Sequence, residues 1–336
     1  MLLPTGKLPP DLLSRLLHAY AQAGDRVIVG PSVGEDAAVI DFGETCLVAK
    51  TDPITFATGE IGHYAVTINA NDIAAMGAMP KWLLATVLLP GGGTDEALVE
   101  SIFRSIHRAA SDLGIAVCGG HTEVTHGIDR PIVVGQMLGE VRREDLVRSS
   151  GLRPGDAILL TKGMGIEATA IIAREQGERV KGRYGEDFWR RCRDYLRDPG
   201  LSVLREARIA CETARVHAMH DPTEGGVATG LHELATASGA GLEVVADRLF
   251  MSENSRALCE AFGLDPLGVI SSGALLIGVA EEDAGRVTEA IRQAGIRCER
   301  IGTVREKAFG VKLRRGEQVE DLPVFQRDEI TKIFES

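Results

Sequence analysis

Apolar positions in the first half of the chain recur with both helical and strand spacing, which predicts mixed secondary structure. Apolar residues spaced by three and four positions predict helices over residues 11–22, 61–76 and 94–114. Alternating or continuously apolar runs predict strands over residues 37–40, 45–50, 82–89, 115–118 and 132–138. Thr94 is expected to be the N-cap of the third helix, because a threonine there precedes two acidic residues.

The second half continues with both kinds of element but without a regular parallel βαβ repeat, which favours an α+β fold. Strands are predicted over residues 157–160, 216–219, 242–245, 274–279 and 307–313. Helices are predicted from about residue 166 to 174 and from 226 to 238, and the charged stretch 178–197 is expected to be a solvated helical excursion. The polar, glycine-containing segment around residues 140–156 favours a boundary between two domains, residues 1–147 and 148–336.

Composition and charge narrow the class of protein. The chain of 336 residues is 44% hydrophobic and 25% charged, which is ordinary for a folded protein. Its formal charge of −11 argues against a general nucleic-acid binder. No apolar run reaches the ~20 residues of a membrane helix, and the N-terminus lacks the apolar core of a signal peptide. Six cysteines without a C-x-x-C pair are expected to be reduced thiols of a cytoplasmic protein.

Five short motifs place acidic residues at predicted strand ends or beside glycines. They lie at residues 34–40, 50–53, 69–78, 119–125 and 220–227. Pro53 holds Asp52 in an extended conformation, and Asp72 interrupts an apolar helix, where a carboxylate is costly unless it is paired or binds a metal. Taken singly, each motif is also compatible with a solvated turn or a helix cap.

Two of the motifs contain glycine pairs that would let backbone amides approach an anion. Gly119 and Gly120 follow a predicted strand, and Gly225 and Gly226 open a predicted helix, whose N-terminus is a natural phosphate site. Carboxylates bind phosphate only through a bridging cation such as Mg²⁺. The motifs together therefore predict a magnesium–nucleotide site used for phosphoryl transfer. The usual G-x-x-x-x-G-K-[ST] phosphate loop is missing.

The order of these motifs resembles the aminoimidazole ribonucleotide synthetase (PurM-like) superfamily over roughly residues 10–310. The most specific part is residues 71–78, which read NDIAAMGA. The chain looks most similar to the hydrogenase maturation branch, HypE, because His220 to Thr223 precede the second glycine pair and Asp265-Pro266-Leu267 follows. It is also similar to thiamine-monophosphate kinase and selenophosphate synthetase.

The resemblance implies a two-domain α+β fold, in which the N-terminal domain forms a shared β-barrel in a homodimer and the C-terminal domain is an α/β sandwich. It implies that ATP gives its γ-phosphoryl group to an oxygen of a small or carbamoyl-type acceptor. Magnesium would be held by four aspartates, Asp36, Asp52, Asp72 and Asp221. The nucleotide would lie against Asn71, Gly119, Gly120, Thr122, Arg148, Thr223, Glu224 and Gly225. The candidates for a general base are His121 and Glu123.

Three departures from the branch keep other functions open. His121 stands where the maturation protein and the kinase usually have aspartate, and Glu224 stands where the maturation protein usually has arginine. The maturation protein also ends in a cysteine that carries its carbamoyl substrate, whereas this chain ends in Ser336. We therefore expect that it does not make the thiocyanate intermediate itself. The alternatives are a thiamine-monophosphate-type kinase and a non-catalytic nucleotide-binding subunit that works through a maturation partner.

Overall fold

The computed structural model describes residues 8–21, 24–31, 36–55 and 59–335. These residues divide into two compact units. The N-terminal unit comprises residues 24–31 and 36–146, and the C-terminal unit comprises residues 8–21 and 147–335. In the part of the chain that is described, no helix combines the length and the apolar character that a membrane span requires.

Over its described residues, the N-terminal unit contains one mixed sheet and two helices. Its strands are β1 (Val27–Val29), β2 (Ala38–Asp41), β3 (Thr45–Ile54), β4 (Met79–Pro90), β5 (Ala116–Thr125) and β6 (Ile132–Arg142). The sheet order is β1-β2-β3-β6-β4-β5, with antiparallel neighbours except for the parallel pair β4 and β5. Two helices, α2 (Ile61–Ala75) and α3 (Glu96–Asp112), complete the unit, and α2 packs on β3, β6 and α3.

Helix α2 is the interior element of this unit. Every residue of α2 except His63 is buried, including the polar residues Asn69, Asn71 and Asp72. Gly62 permits the close crossing with α3, because a Cβ there would lie 2.5 Å from the backbone nitrogen of Ile106. The polar side chains of α2 are therefore held inside the fold.

The N-cap prediction for α3 was wrong. Asp95, not Thr94, is the capping residue, and its carboxylate accepts a hydrogen bond of 2.8 Å from the amide of Leu98. The Thr94 hydroxyl instead donates to the carbonyl of Pro90 at 2.8 Å. The helix therefore begins one residue later than the sequence predicted.

The C-terminal unit is built around a seven-stranded sheet. Its strands are β7 (Ala157–Thr161), β8 (Val216–His220), β9 (Gly241–Val245), β10 (Leu276–Val279), β11 (Cys298–Arg305), β12 (Val311–Arg315) and β13 (Gln318–Asp321). The sheet order is β13-β12-β9-β11-β7-β10-β8, and only β12 and β9 are parallel. Its helices are α1 (Pro10–Tyr20), α4 (Ile166–Glu175), α5 (Gly177–Tyr184), α6 (Glu186–Arg193), α7 (Leu204–Thr213), α8 (Gly226–Ser238), α9 (Glu253–Phe262) and α10 (Glu281–Gln293).

Most predicted elements are present, and the exceptions have local causes. Helices α2, α4 and α8 match their predicted ranges closely, and residues 178–197 are helical as expected. The predicted strand 307–313 was placed too early, since Lys307–Phe309 is a single 3₁₀ turn and β12 follows it. The end of the first predicted helix, Gln22, lies outside the described residues. Six elements were not predicted from the sequence: α7, α9, α10, β1, β11 and β13.

Candidate functional site

In the N-terminal unit, the side chain of Asn69 on α2 connects the helix to the strand that carries Asp52. Its Oδ1 accepts from the amide of Asp52 at 2.9 Å, and its Nδ2 donates to the carbonyls of Ala65 at 2.9 Å and Asp52 at 3.3 Å. Opposite Asp52 in the sheet, Gly135 leaves the space that this amide needs, because a Cβ there would lie 2.4 Å from Asn69 Nδ2. The backbone that carries Asp52 is thus bonded to the buried helix that carries Asp72.

Two of the predicted metal ligands, Asp52 and Asp72, both form an ion pair with Lys50. The ammonium group of Lys50 lies 3.4 Å from Oδ2 of Asp52 and 3.4 Å from Oδ2 of Asp72. Asp72 is only 5% exposed, so its charge depends on such a partner. The two carboxylates are therefore held where a single positive charge can meet both.

The other predicted residues of this region have different degrees of burial. Asn71 is fully buried on α2, and Asp36 is buried at the start of the segment that leads into β2. The glycine and glutamate before Asp36, which belong to the same motif, lie outside the described residues. Met76, which directly follows α2, is a fully buried core residue.

The motif at residues 119–125 lies inside a strand, whereas the sequence predicted that the strand ends at residue 118. Strand β5 continues from Ala116 to Thr125 at the edge of the sheet. A Cβ at Gly120 would lie 2.0 Å from the carbonyl oxygen of Ala85, so glycine is required by the neighbouring strand β4. Gly119 and Thr122 lie on the same exposed strand.

His121 and Glu123 form a pair on the exposed strand β5. They are two residues apart and therefore on one face of the strand, and Nε2 of His121 lies 3.0 Å from Oε2 of Glu123. Both side chains are largely exposed. In the tautomer whose Nε2–H donates a hydrogen bond to the Glu123 carboxylate, Nδ1 of His121 is unprotonated and can accept a proton.

In the C-terminal unit, the predicted motif joins the end of β8 to the start of α8. Gly225 and Gly226 both have positive φ angles, +76° and +66°, which glycine adopts readily. The amide of Gly225 donates 2.6 Å to Oδ2 of Asp328, and the amide of Gly226 donates 3.1 Å to the carbonyl of Thr223. The chain itself thus supplies acceptors for both glycine amides that the sequence assigned to a phosphate.

The remaining predicted residues of this unit lie around that loop or apart from it. Asp221 is 2% exposed, and the preceding His220 has Nε2 2.9 Å from Oε2 of Glu233 on α8. Glu224 lies close enough to the buried Asp328 to raise its pKa. Arg148 is exposed and precedes a 3₁₀ turn at the beginning of the unit.

Two buried acids with raised pKa values were not predicted from the sequence. Burial raises the pKa of Glu167 to about 7, with Asp328 and Glu224 raising it further and Ser272 and Arg174 opposing them. Burial also raises the pKa of Asp328 to about 6, against three backbone hydrogen bonds that lower it. Glu167 is an acid followed by six small or apolar residues of α4, a signal similar to the one that pointed to Asp72. Asp328 lies 103 residues from Gly225, and no local pattern indicates that contact.

The cysteines carry no bonds between them. All six are free thiols, as the sequence predicted, and four of them, Cys46, Cys192, Cys259 and Cys298, are buried. Burial raises the pKa of three of these thiols, Cys192, Cys259 and Cys298, to about 12, so they are protonated at neutral pH.

Comparison with known proteins places the chain in a family. Residues 34–141 match the AIR synthase related protein, N-terminal domain, and residues 153–313 match the AIR synthase related protein, C-terminal domain. A protein of Methanocaldococcus jannaschii named for hydrogenase expression and formation is 31% identical over 299 residues, or 86% of each chain. The chain belongs to the AIR synthase related family. The carbamoyl dehydratase HypE of Azotobacter vinelandii, another relative, is 33% identical over 278 residues, 80% of this chain and 78% of that one.

Solved structures agree with this family. A hydrogenase maturation protein HypE in complex with ATP has a TM-score of 0.72 at 26% identity, covering 94% of this chain and 91% of that one. A HypE–HypF complex matches with a TM-score of 0.74 at 22% identity, over 93% and 98%. ThiL, a thiamine-monophosphate kinase, complexed with AMPPCP and TMP, has a TM-score of 0.71 at 21% identity, over 92% and 93%. The last two likenesses show the fold alone. The expected α+β fold with two PurM-like domains is confirmed.

Proposed function

We propose that the protein is a Mg²⁺-dependent enzyme that transfers the γ-phosphoryl group of ATP to an oxygen of a small or carbamoyl-type acceptor. The observation that carries the proposal is the pair of carboxylates, Asp52 and Asp72, fixed around the ammonium of Lys50. The relative solved with ATP supports the nucleotide, and the relatives named carbamoyl dehydratase support the class of acceptor.

The carboxylates of this chain fit magnesium by their chemistry. Mg²⁺ prefers oxygen ligands, and it is usually bound through one or two carboxylates together with substrate phosphates. In the N-terminal unit, Asp36, Asp52 and Asp72 would hold the ion, and in the C-terminal unit Asp221 is the proposed ligand. Bound magnesium would neutralise charge on the transferring phosphoryl group.

The chain's own residues would bind and orient the reactants. The proposed nucleotide contacts are Asn71, Gly119, Gly120, Thr122, Arg148, Thr223, Glu224 and Gly225. For Gly225 the contribution is the shape of the loop, since its amide already donates to Asp328. His121, oriented by Glu123, would take up the proton that the acceptor molecule loses when its oxygen attacks the γ-phosphorus.

We also propose that two copies of the chain pair through β5. All but the last residue of this ten-residue strand are exposed, and it forms the edge of its sheet. Such an edge presents unpaired backbone groups that favour pairing with another chain. The HypE of the HypE–HypF complex supports, in addition, a maturation protein as partner. The free cysteines favour a reducing compartment such as the cytoplasm.

The test is calorimetric titration with a non-hydrolysable ATP analogue, with and without Mg²⁺. We expect binding that requires Mg²⁺ in the wild type and its loss in Asp52→Asn and Asp72→Asn. The matched control is Asp129→Asn, which removes an exposed aspartate of the same unit. Thermal unfolding of each variant separates loss of binding from loss of fold.

The outcomes distinguish the candidate functions. Unchanged binding in both site variants would contradict the assignment of the carboxylates. When binding is present, ADP release is measured with carbamoyl compounds, and thiamine monophosphate serves as the competing acceptor. If ATP binds in a Mg²⁺-dependent way but no acceptor leads to the release of ADP, the result would favour the non-catalytic subunit.

A further inference from the structure

Asp328, which precedes the last turn of the C-terminal unit, joins three separate parts of the chain. Its Oδ2 accepts from the amide of Gly225 at 2.6 Å, and its Oδ1 accepts from the amides of Ile330 at 2.7 Å and Ile270 at 3.2 Å. The residue is only 8% exposed. One buried carboxylate therefore connects the C-terminal turn, the segment before β10 and the glycine loop before α8.

Three amides at the start of α8 donate to acceptors within the chain. Gly225 donates to Asp328, Gly226 to the carbonyl of Thr223, and Ala228 to the carbonyl of Leu267 at 3.1 Å. The N-terminus of a helix favours negative charge, and here a carboxylate of the chain provides it. Asp328 thus stands where the sequence predicted a phosphate.

The conformation of the loop 221–226 depends on hydrogen bonds to other parts of the chain. Two consecutive residues with positive φ, Gly225 and Gly226, have little conformational preference of their own. The hydrogen bond from Gly225 to a charged acceptor is the strongest kind available to a backbone amide. Replacement of that acceptor should therefore change the conformation of the loop more than the stability of the sheet beneath it.

We propose that Asp328 is a positioning residue for the loop 221–226, holding Asp221, Thr223 and Glu224 in place for the nucleotide through its hydrogen bond to Gly225. The inference rests on the proposed function, because it takes this loop to contact the nucleotide. The C-terminal turn then contributes to nucleotide affinity without touching the nucleotide.

The charges around Asp328 predict a pH dependence. Glu224 and Glu167 are the acidic groups that act on this region, and Arg174 is a cation that acts on Glu167. Burial raises the pKa of Asp328 to about 6. Protonation leaves fewer acceptor lone pairs for the three amides, so the hold on Gly225 should weaken as the pH falls through about 6.

Calorimetric titration with Mg²⁺ and a non-hydrolysable ATP analogue tests the role of Asp328 against a neighbour. We expect Asp328→Asn to weaken binding about tenfold, which corresponds to about 1.4 kcal/mol. Glu329→Gln is the matched control. Glu329 directly follows Asp328, and its carboxylate accepts a hydrogen bond of 2.9 Å from the amide of Asp265 and not from Gly225. Its affinity should equal that of the wild type.

A pH series supplies a readout that a merely structural role would not change. Wild-type affinity should fall more steeply below about pH 6 than that of Asp328→Asn, while the titration of the nucleotide itself is common to both proteins. Hydrogen exchange of the wild type, corrected for the intrinsic rate, needs no variant. Residues 222–227 should lose protection at low pH, whereas β10 should keep it.

The results separate this inference from the proposed function. Wild-type protein that binds no nucleotide overturns both. Wild-type binding together with unchanged affinity and an unchanged pH profile in Asp328→Asn overturns only the role of Asp328. Protection of residues 222–227 that does not change with pH also overturns it, even when the variant fails to fold.

Discussion

Glu167→Gln removes a buried charge from the C-terminal unit and should change how its stability depends on pH. Glu167 is the second residue of α4, is 6% exposed and lies beside core residues such as Ala168 and Ile172. Burial raises the pKa of its carboxyl from 4.5 to about 7. Glutamine retains the shape of the side chain but cannot ionise, so the variant isolates the effect of charge.

The sign and size of the effect follow from linkage. Because the pKa of Glu167 is higher in the folded chain, the folded state binds this proton more tightly than the unfolded state does. The contribution to the free energy of unfolding is therefore full at pH values below 4.5 and is lost as the pH rises through about 7. At about 1.4 kcal/mol per pKa unit, the whole shift corresponds to about 3 kcal/mol.

Urea unfolding measures the free energy of unfolding of the C-terminal unit. The signal is the fluorescence of Trp189 in a Trp82→Phe background. Trp189 reports on α4 directly, since its indole donates 2.7 Å to the carbonyl of Ala173. Relative to the wild type, Glu167→Gln should gain about 2–3 kcal/mol between pH 5 and pH 8. Asp328 titrates in both proteins, so only its interaction with Glu167 remains in the difference. Parallel stability curves over this range would refute the reasoning.

Three further changes test other parts of the structure. Asp95→Ala removes the acceptor for the amide of Leu98 and should lower the free energy of unfolding by about 1 kcal/mol in urea titration; an unchanged value would contradict the assigned cap. Gly135→Ala would place a Cβ 2.4 Å from Asn69 Nδ2 and should destabilise the N-terminal unit by about 1–3 kcal/mol in the same assay, so a neutral result would mean that Asn69 moves at little cost. Val124→Lys adds charge to an apolar residue that is 58% exposed on β5 and should shift sedimentation velocity from dimer to monomer; a wild type that sediments as a monomer would refute pairing through β5.

Local signals predicted much of the fold and one part of the site. Helix α8 was predicted from about Gly226 to Ser238, and the structure has it over Gly226–Ser238. Its ends carry local signals, since a glycine pair opens it and Gly239 follows it. Asp72 was recognisable because a carboxylate inside an apolar helix needs a partner, and the structure supplies Lys50. Glu167 carries the same signal and could have been found in this way.

The features that escaped prediction depend on contacts between distant residues. Strand β5 reads as a loop after Cys118, because paired glycines usually mark turns. It remains a strand because β4 pairs with it as far as Thr125. The hydrogen bond between Gly225 and Asp328 could likewise not be predicted, because the two residues are 103 positions apart and the sequence around the loop contains no sign of Asp328.

Lys50 has a consequence for how the proposed metal site comes into being. With its ammonium 3.4 Å from both Asp52 and Asp72, the N-terminal unit carries an internal counter-ion. The unit can therefore fold before any metal arrives, without two close carboxylates repelling each other. Magnesium would enter by exchange of one cation for another, so its measured affinity would be the difference between two attractions. Replacing the lysine would raise that affinity and make folding of the unit depend on the metal.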